Sequence, residues 1–323
     1  MTPCVSVVLC TFNRAAMLER ALQYLREQTA APSDYEVVVV DNNSTDRTPE
    51  VIEQAARVAP VTYVREPRQG LSFARNRGVK ASCAEIVAFT DDDVCVAADW
   101  IETIRRAAAE RPDAGWFGGR VLPIWPPIAP AWLGPSFWAP LALLDYGPAP
   151  IGLGGPDLRA AIGANLVVRR RALLTAGLFR TDVQRVADVV GSTEDHELQI
   201  RMARHGLRGM YVPELVVRSP VDRGRMRRRY HRRWHAGHGR FFAAMRDPSF
   251  EQSTRGRVLD VPAHVYRSFA EAVGRWAAAS LTLDTTSAFQ HELQARFLLG
   301  YARARIGERL AMRRARHARR VAA

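Results

Sequence analysis

Residues 5–14 read Val5-Ser6-Val7-Val8-Leu9-Cys10-Thr11-Phe12-Asn13-Arg14, a β-branched, almost wholly apolar run that breaks into polar residues. Unbroken rather than alternating hydrophobicity is what a strand buried on both faces shows, as in a parallel sheet covered by helices. The residues downstream agree. Met17, Leu18, Ala21, Leu22 and Leu25 share one helical face, which predicts an amphipathic helix over 15–28. The apolar run 37–40 ends in Asp41-Asn42-Asn43-Ser44, and Ser44-Thr45-Asp46 can cap a helix over 49–58. A strand over 61–64, a helix over 71–81 and a strand over 86–90 continue the alternation, the last stopping at Asp91-Asp92-Asp93. Strands alternating with helices predict βαβ units joined by right-handed crossovers. Ligands of such sheets bind at the carboxyl ends of the strands. Three consecutive strand ends are polar here: 11–14, 41–44 and 91–93.

The acidic triplet points to chemistry. Side chains alternate along a strand, so Asp91 and Asp93 can lie on one side. Two carboxylates aimed at one spot repel unless a cation lies between them, and Mg²⁺ or Mn²⁺ held by one or two carboxylates plus substrate phosphates fits that need. The same triplet could also be a plain acidic loop before a helix starting near Ala97. Asp41 can be an Asx-turn residue or can accept from a nucleobase or ribose. Neither GxGxxG nor GxxxxGK[ST] is present, so a dinucleotide fold and a P-loop are not expected.

Beyond residue 100 the pattern loosens. Residues 123–156 carry Trp125, Trp132, Trp138 and Tyr146 among many Pro and Gly, which reads as a hydrophobic cover over the sheet or as an aromatic wall for an acceptor. A strand over 164–168, a helix starting near Thr193 behind the capping pair Ser192-Thr193, and a strand over 209–212 follow. From Arg225 to about Arg316 the pattern is helical, interrupted near Pro248 and Pro262.

The chain has 323 residues, 47% of them hydrophobic and 24% charged, enough for a sizeable core and incompatible with wholesale disorder. No run reaches the roughly 18–20 apolar residues of a membrane span. The first residues lack the pattern of a secretory signal, so a cytoplasmic location is expected, with peripheral attachment at the inner face of the cell membrane as an option. Cys4, Cys10, Cys83 and Cys95 show no CxxC spacing and are expected to be small core hydrophobes. The net charge of +13 is uneven: residues 219–323 carry 22 Arg against 8 acidic residues, whereas residues 1–218 are close to neutral. Arg223, Arg225, Arg227, Arg228, Arg229, Arg232, Arg233 and Arg240 alternate with Tyr230, Trp234 and Phe241, as on a solvated helix face or a helix lying on anionic lipid. No nucleic-acid module accompanies the charge, so nucleic acid is not the expected partner. His231, His235 and His238, within this arginine-rich stretch, are expected to be exposed.

Taken in order, Val5–Arg14, Val38-Val-Val-Asp-Asn-Asn-Ser-Thr-Asp46, Gly70-Leu-Ser-Phe-Ala-Arg-Asn-Arg-Gly78, Phe89-Thr-Asp-Asp-Asp93, Gly163-Ala164-Asn165 and Glu194-Asp195 resemble the family 2 glycosyltransferases of the GT-A fold. The resemblance implies an α/β fold with a central, mostly parallel sheet flanked by helices. A catalytic domain would span 1–220, with a nucleotide-binding half over about 1–120 and an acceptor half over about 121–220, followed by a basic helical region over 221–323. It implies an inverting transfer from a nucleotide-diphosphate sugar, a UDP-sugar first, to a glycan, lipid-linked or small-molecule acceptor in bacterial assembly. Thr11, Phe12, Asn13, Arg14 and Asp41 would hold base and ribose, Arg75 the diphosphate region, and Asp91 and Asp92 the donor. Asp91 and Asp93 would bind Mn²⁺ or Mg²⁺, Asp195 beside Glu194 would be the base, and Gly163, Ala164 and Asn165 would line the acceptor side. Where many relatives carry a metal-completing His, this chain reads Val216-Val217-Arg218-Ser219-Pro220, which leaves a third protein ligand open. A nucleotidyltransferase, or an inactive basic adaptor of the same fold, are the competing readings.

Overall fold

The computed structural model describes residues 3–155, 159–183, 193–251 and 256–321; Ser192, expected to cap a helix, lies outside them. The elements of the first part are β1 (Val5–Thr11), α1 (Ala15–Arg26), β2 (Tyr35–Asp41), α2 (Thr48–Ala56), β3 (Val61–Arg65), α3 (Leu71–Ala81), β4 (Ile86–Asp91), β5 (Cys95–Val96) and α4 (Trp100–Glu110). Then come β6 (Ala114–Ile124), β7 (Ile151–Leu153), β8 (Leu166–Arg169), α5 (Arg170–Ala176), α6 (Glu194–Arg204) and β9 (Arg208–Pro220). They form a nine-stranded sheet of order β3-β2-β1-β4-β8-β6-β9-β5, with β7 also on β9. Strands β3, β2, β1 and β4 are parallel, as the unbroken apolar runs require. Beyond β4 the sheet is mixed, because β8 lies antiparallel to both β4 and β6.

The register explains the meeting of the polar ends. Thr11 pairs with Asp41 and Cys10 with Asp91, so the three carboxyl ends finish side by side. The sheet's core is built from Val8, Val38, Val40, Phe89, Trp116, Leu166 and Val168, all essentially inaccessible. One strand, β6, is absent from the sequence reading, and another, β9, is longer than the expected 209–212. β6 is rich in glycine, and β9 runs the full span from Arg208 to Pro220, pairing in parallel with β6 over its length. The segment after β6 contributes Leu133, Phe137, Leu141 and Leu143 to the interior, which makes it a hydrophobic cover in its own right.

The contacts divide the chain into two compact units, the first running to Asp222 and the second from Arg223 onward, with Pro130–Trp132 belonging to the second. The second unit comprises α7 (Arg228–Met245), α8 (Pro248–Glu251), a two-stranded hairpin of β10 (Arg257–Val258) and β11 (Val261–Pro262), α9 (Ala263–Leu281) and the long α10 (Thr285–Val321). Helices α7 and α10 cross closely because glycine stands at the contact. A Cβ at Gly300 would lie 2.1 Å from Ala236 O, and one at Gly239 would lie 2.0 Å from Phe297 O. No helix among the described residues is long and apolar enough to cross a membrane.

Two sequence expectations fail. Cys4 and Cys83 are exposed and Cys95 only partly buried, because they stand at strand ends and loops, whereas Cys10, within β1, packs against the core as expected. His231 is not exposed but fully buried, edge-on to Trp132 at 5.0 Å and close to Phe289. Burial pushes its imidazole down to about 4. His235 is likewise pushed down to about 3, by burial first and then by His238 and His231.

An unfolded imidazole titrates near about 6.5, so the unfolded chain binds the proton that buried His231 refuses, and stability falls as pH drops from about 6.5 towards 4. Replacing His231 with Leu should remove part of that decline, checked by thermal midpoints of both proteins at about pH 7 and about pH 4.5. Gly300→Ala should cost roughly 1–3 kcal/mol in urea unfolding, because helix backbones must separate to admit the methyl group.

Candidate functional site

Each polar strand end is stitched to its neighbours. Thr11 Oγ1 donates to Asp92 Oδ2 at 2.7 Å, and Asn42 N donates to Thr11 O at 2.9 Å, tying β1 to both flanking loops. Asn13 takes a left-handed backbone with φ +52°, a conformation asparagine tolerates better than most residues. Its N–H donates to Ser44 Oγ at 2.9 Å, and its Oδ1 accepts from Thr45 N at 2.7 Å. Phe12, between these anchors, is 42% exposed at the strand end. Asp41 is buried. Its Oδ1 accepts from Ser44 N at 2.8 Å and its Oδ2 from Tyr63 Oη at 3.1 Å. Tyr63, on β3, was not singled out by sequence; its only signal is its place on the strand beside Asp41.

The triplet after β4 is split by its environment. Asp92 is buried and clamped by Thr11 and by Arg14 Nη1 at 2.9 Å. Burial pushes its carboxyl up to about 6, with the Arg14 guanidinium opposing that rise. Asp91 and Asp93 keep side chains 37% and 32% exposed, and Arg14 Nη1 also reaches Asp93 Oδ2 at 3.1 Å. One arginine thus holds two of the three carboxylates.

Arg75 is the centre of the arrangement. It projects from α3, whose start is fixed from β2: Asn42 Oδ1 accepts from Gly70 N at 2.8 Å while Asn42 Nδ2 donates to Glu66 O and Arg68 O. The Arg75 side chain is 4% exposed, 3.1 Å from Glu194 Oε1 and 3.6 Å from Asp91 Oδ1. Burial works to lower its pKa, but Glu194, Asp91 and Asp195 outweigh that and raise it. Gly163 closes over the guanidinium, where a Cβ would lie 2.4 Å from Arg75 Nη2. Beneath the site, burial pushes the Cys10 thiol up to about 12, which leaves it protonated.

On the other side of Arg75, the first turn of α6 carries Glu194 and Asp195. Glu194 is buried on Arg75, whereas Asp195 stays half-buried, its Oδ2 accepting from Gly163 N and its Oδ1 from His196 N, both at 2.8 Å. Gln199, which sequence did not flag, sets this register. Its amide exchanges two hydrogen bonds with the Ala161 backbone and donates a third to Asp195 O. Gly163 and Ala164 are buried between these groups. Asn165 departs from its expected place on an acceptor surface. It is fully buried, accepting from Trp100 Nε1 and donating to Arg120 O and Leu215 O, each at 2.9 Å, so its amide serves the scaffold.

Asp91 and Asp93 are hard oxygen donors, both partly accessible, and no group of three or more His, Cys, Asp or Glu is gathered for an ion among the described residues. That donor set fits a divalent ion completing its shell with phosphate oxygens and water. Arg218 is exposed on β9, its backbone paired with Cys95 just after the triplet.

Residues 6–173, just over half of the chain, match the family described as Glycosyl transferase family 2. A glucosyl-dolichyl phosphate glucuronosyltransferase of Haloferax volcanii is 29% identical over 188 residues, covering 57% of this chain and 58% of its own length. A validoxylamine A glucosyltransferase of Streptomyces hygroscopicus subsp. limoneus is 38% identical over 109 residues, 33% of this chain and 24% of the relative. The chain therefore spans only part of these curated relatives. Among solved structures, mannosyltransferase PcManGT from Pyrobaculum calidifontis, in complex with GDP-Man and Mn²⁺, superposes with TM-score 0.60 at 21% identity, over 95% of this chain and 88% of that one. S. aureus TarS 1–349 in complex with UDP gives TM-score 0.53 at 16% identity, over 96% and 92%. These likenesses carry the fold, the family match carries the ancestry, and the chain belongs to glycosyl transferase family 2.

Proposed function

We propose that this chain transfers a sugar from a nucleotide-diphosphate donor to an acceptor hydroxyl in a single, inverting displacement. The observation that carries the reading is the Arg75 bridge: one buried guanidinium faces Asp91 at the strand-end side and Glu194 on the helix that bears Asp195. A donor-side carboxylate and an acceptor-side carboxylate are thereby fixed on two sides of one charge, the layout a direct displacement needs. The loops after β1 and β2, with Thr11, Phe12, Asn13, Arg14 and Asp41, take the base and ribose, and Asp92 keeps Arg14 in place. The GDP-Man and UDP bound in the two similar structures agree with a nucleotide-sugar donor.

Asp91 and Asp93 would hold a Mn²⁺ or Mg²⁺ ion, which when bound neutralises charge accumulating on the departing diphosphate. The rest falls to the protein. Attack at the anomeric carbon passes through an oxocarbenium-like state, as in glycoside chemistry generally. Asp195 takes the proton of the attacking hydroxyl, a role typically worth about 10²–10⁴-fold in rate. Its two backbone N–H donors keep it aimed, and each carboxylate oxygen retains a lone pair for the acceptor. Glu194 does not touch the acceptor in this scheme; it positions Arg75. The acceptor is a glycan, lipid-linked or small-molecule hydroxyl, and the relatives named for glucosyl-dolichyl phosphate and for validoxylamine A agree with the last two classes.

Two variants test the assignment. Asp93→Ala should abolish the tightening of UDP or GDP binding by Mn²⁺ in calorimetry while the circular dichroism spectrum is kept; an unchanged metal response defeats the ion assignment. Asp195→Asn should bind nucleotide as the parent does but release nucleoside diphosphate from nucleotide-sugar at least about a hundredfold more slowly. Full turnover in that variant removes Asp195 from the mechanism, and release of pyrophosphate instead would mark a nucleotidyltransferase.

A further inference from the structure

The arginine-rich stretch 223–240 offers itself by sequence as a lipid-facing helix, but α7 directs its aromatic residues inward. Trp234 stacks on His238 of the same helix at 4.4 Å, and His238 and Phe242 lie 5.7 and 5.6 Å from the Phe297 ring, so this side of α7 is covered by α10. The two most exposed large apolar side chains described in the unit lie elsewhere, at the turn joining α9 to α10, although Val258, Leu259, Leu310 and Met312 are exposed as well. Leu281 is 85% exposed, Leu283 83% and Trp276 39%, and no charge interrupts residues 276–283.

The turn itself is unusual. Asp284 N donates to Ala279 O at 3.0 Å and Leu283 N to Ser280 O at 3.3 Å, the two bonds of a Schellman motif. Leu283 occupies its left-handed position, with φ +57°, where glycine or asparagine is the strain-free choice. A leucine there bears steric strain and gains no burial within the chain. Asp284, the one acid beside the turn, is engaged in accepting from Ser287 N at 3.0 Å at the start of α10.

Cations reach the same end of the unit. Helix α7 runs alongside α10 in the same direction: Arg228 lies over the Phe289 ring at 4.9 Å, Arg232 pairs with Glu292 at 2.7 Å, and Arg246 pairs with Glu308 further along. The start of α7 is therefore beside the start of α10: Phe289 is only about 6 Å along the helix axis from Thr285, the first residue of α10, at 1.5 Å per residue, and Leu283 stands two residues before Thr285. Arg223, Arg227 and Arg229, at and before that start, are exposed.

We propose that this end of the helical unit docks on an anionic membrane, with Leu281, Leu283 and Trp276 entering the acyl boundary and Arg223, Arg227 and Arg229 meeting lipid phosphates. An apolar tip next to guanidinium groups matches the layering of a leaflet, where hydrocarbon lies beneath negative head groups. A second copy of the chain matches it less well, since a symmetric pairing would bring the same arginines against each other. The inference stands apart from the transfer chemistry and can fail without it.

The test is flotation of the full chain with phosphatidylcholine vesicles, with and without phosphatidylglycerol, at low and high salt. Binding is expected only to the anionic vesicles and should fade as added salt shortens the screening length. The double variant Leu281→Asp, Leu283→Asp should lower the apparent partition constant by about tenfold or more. Leu283→Gly serves as the control for folding: it should keep or raise the thermal midpoint, because it relieves the left-handed position, yet still weaken vesicle binding. Equal binding to neutral vesicles, undiminished binding by the leucine variants, or a lipid-free dimer that those variants dissolve would overturn the proposal, the last by assigning the tip to a second copy.

Discussion

A positive charge almost sealed from water organises the first unit. Arg75 has a side chain 4% exposed and faces a Glu194 that is 2% exposed, so neither ion has solvent to fall back on. Breaking such a pair from one side typically costs about 3–5 kcal/mol, because the survivor is left as an uncompensated buried charge. The surroundings are arranged around that constraint. Asn42 pins the start of the helix that delivers the guanidinium, and Gln199 sets the register of the helix that delivers its partner. Gly163 leaves the room the guanidinium occupies. The ion pair thereby links the parallel half of the sheet to the helix carrying Asp195, elements far apart in sequence.

Arg14 plays a smaller version of the same part. Shared between Asp92 and Asp93, it offsets the repulsion that three consecutive carboxylates would otherwise suffer at a strand end. The buried member of the triplet acts as its anchor, and the two outer members remain accessible. Three chemically identical side chains acquire different tasks from their burial and their partners alone.

The parallel half of the fold was legible because its strands are buried on both faces and announce themselves as unbroken apolar runs; the helix expected over 71–81 is found with those bounds. The strand at 114–124 was hidden by its composition. Ala114-Gly-Trp-Phe-Gly-Gly-Arg-Val-Leu-Pro-Ile124 reads as broken, since glycine and proline weaken strands in isolation. Those glycines answer to tertiary contacts that no local pattern reveals: a Cβ at Gly119 would lie 1.9 Å from Leu215 O on the neighbouring strand. The site followed the same division. Residues at strand ends could be listed from the sequence, but Asn165 as a scaffold amide, Tyr63 beside Asp41 and His231 in an aromatic cage depend on neighbours distant along the chain.

The outermost strands of the sheet have a bearing on behaviour in concentrated solution. Among the described residues, one border is β3, five residues long and ending in Arg65, and the other is shared by β5, two residues long, and β7, three residues long, both on β9. Unsatisfied backbone groups along a sheet border invite strand-by-strand stacking of one molecule on the next, a route into fibrils that short and charged borders obstruct. With so little main chain on offer at either margin, this architecture is guarded against amyloid-type growth by its own topology.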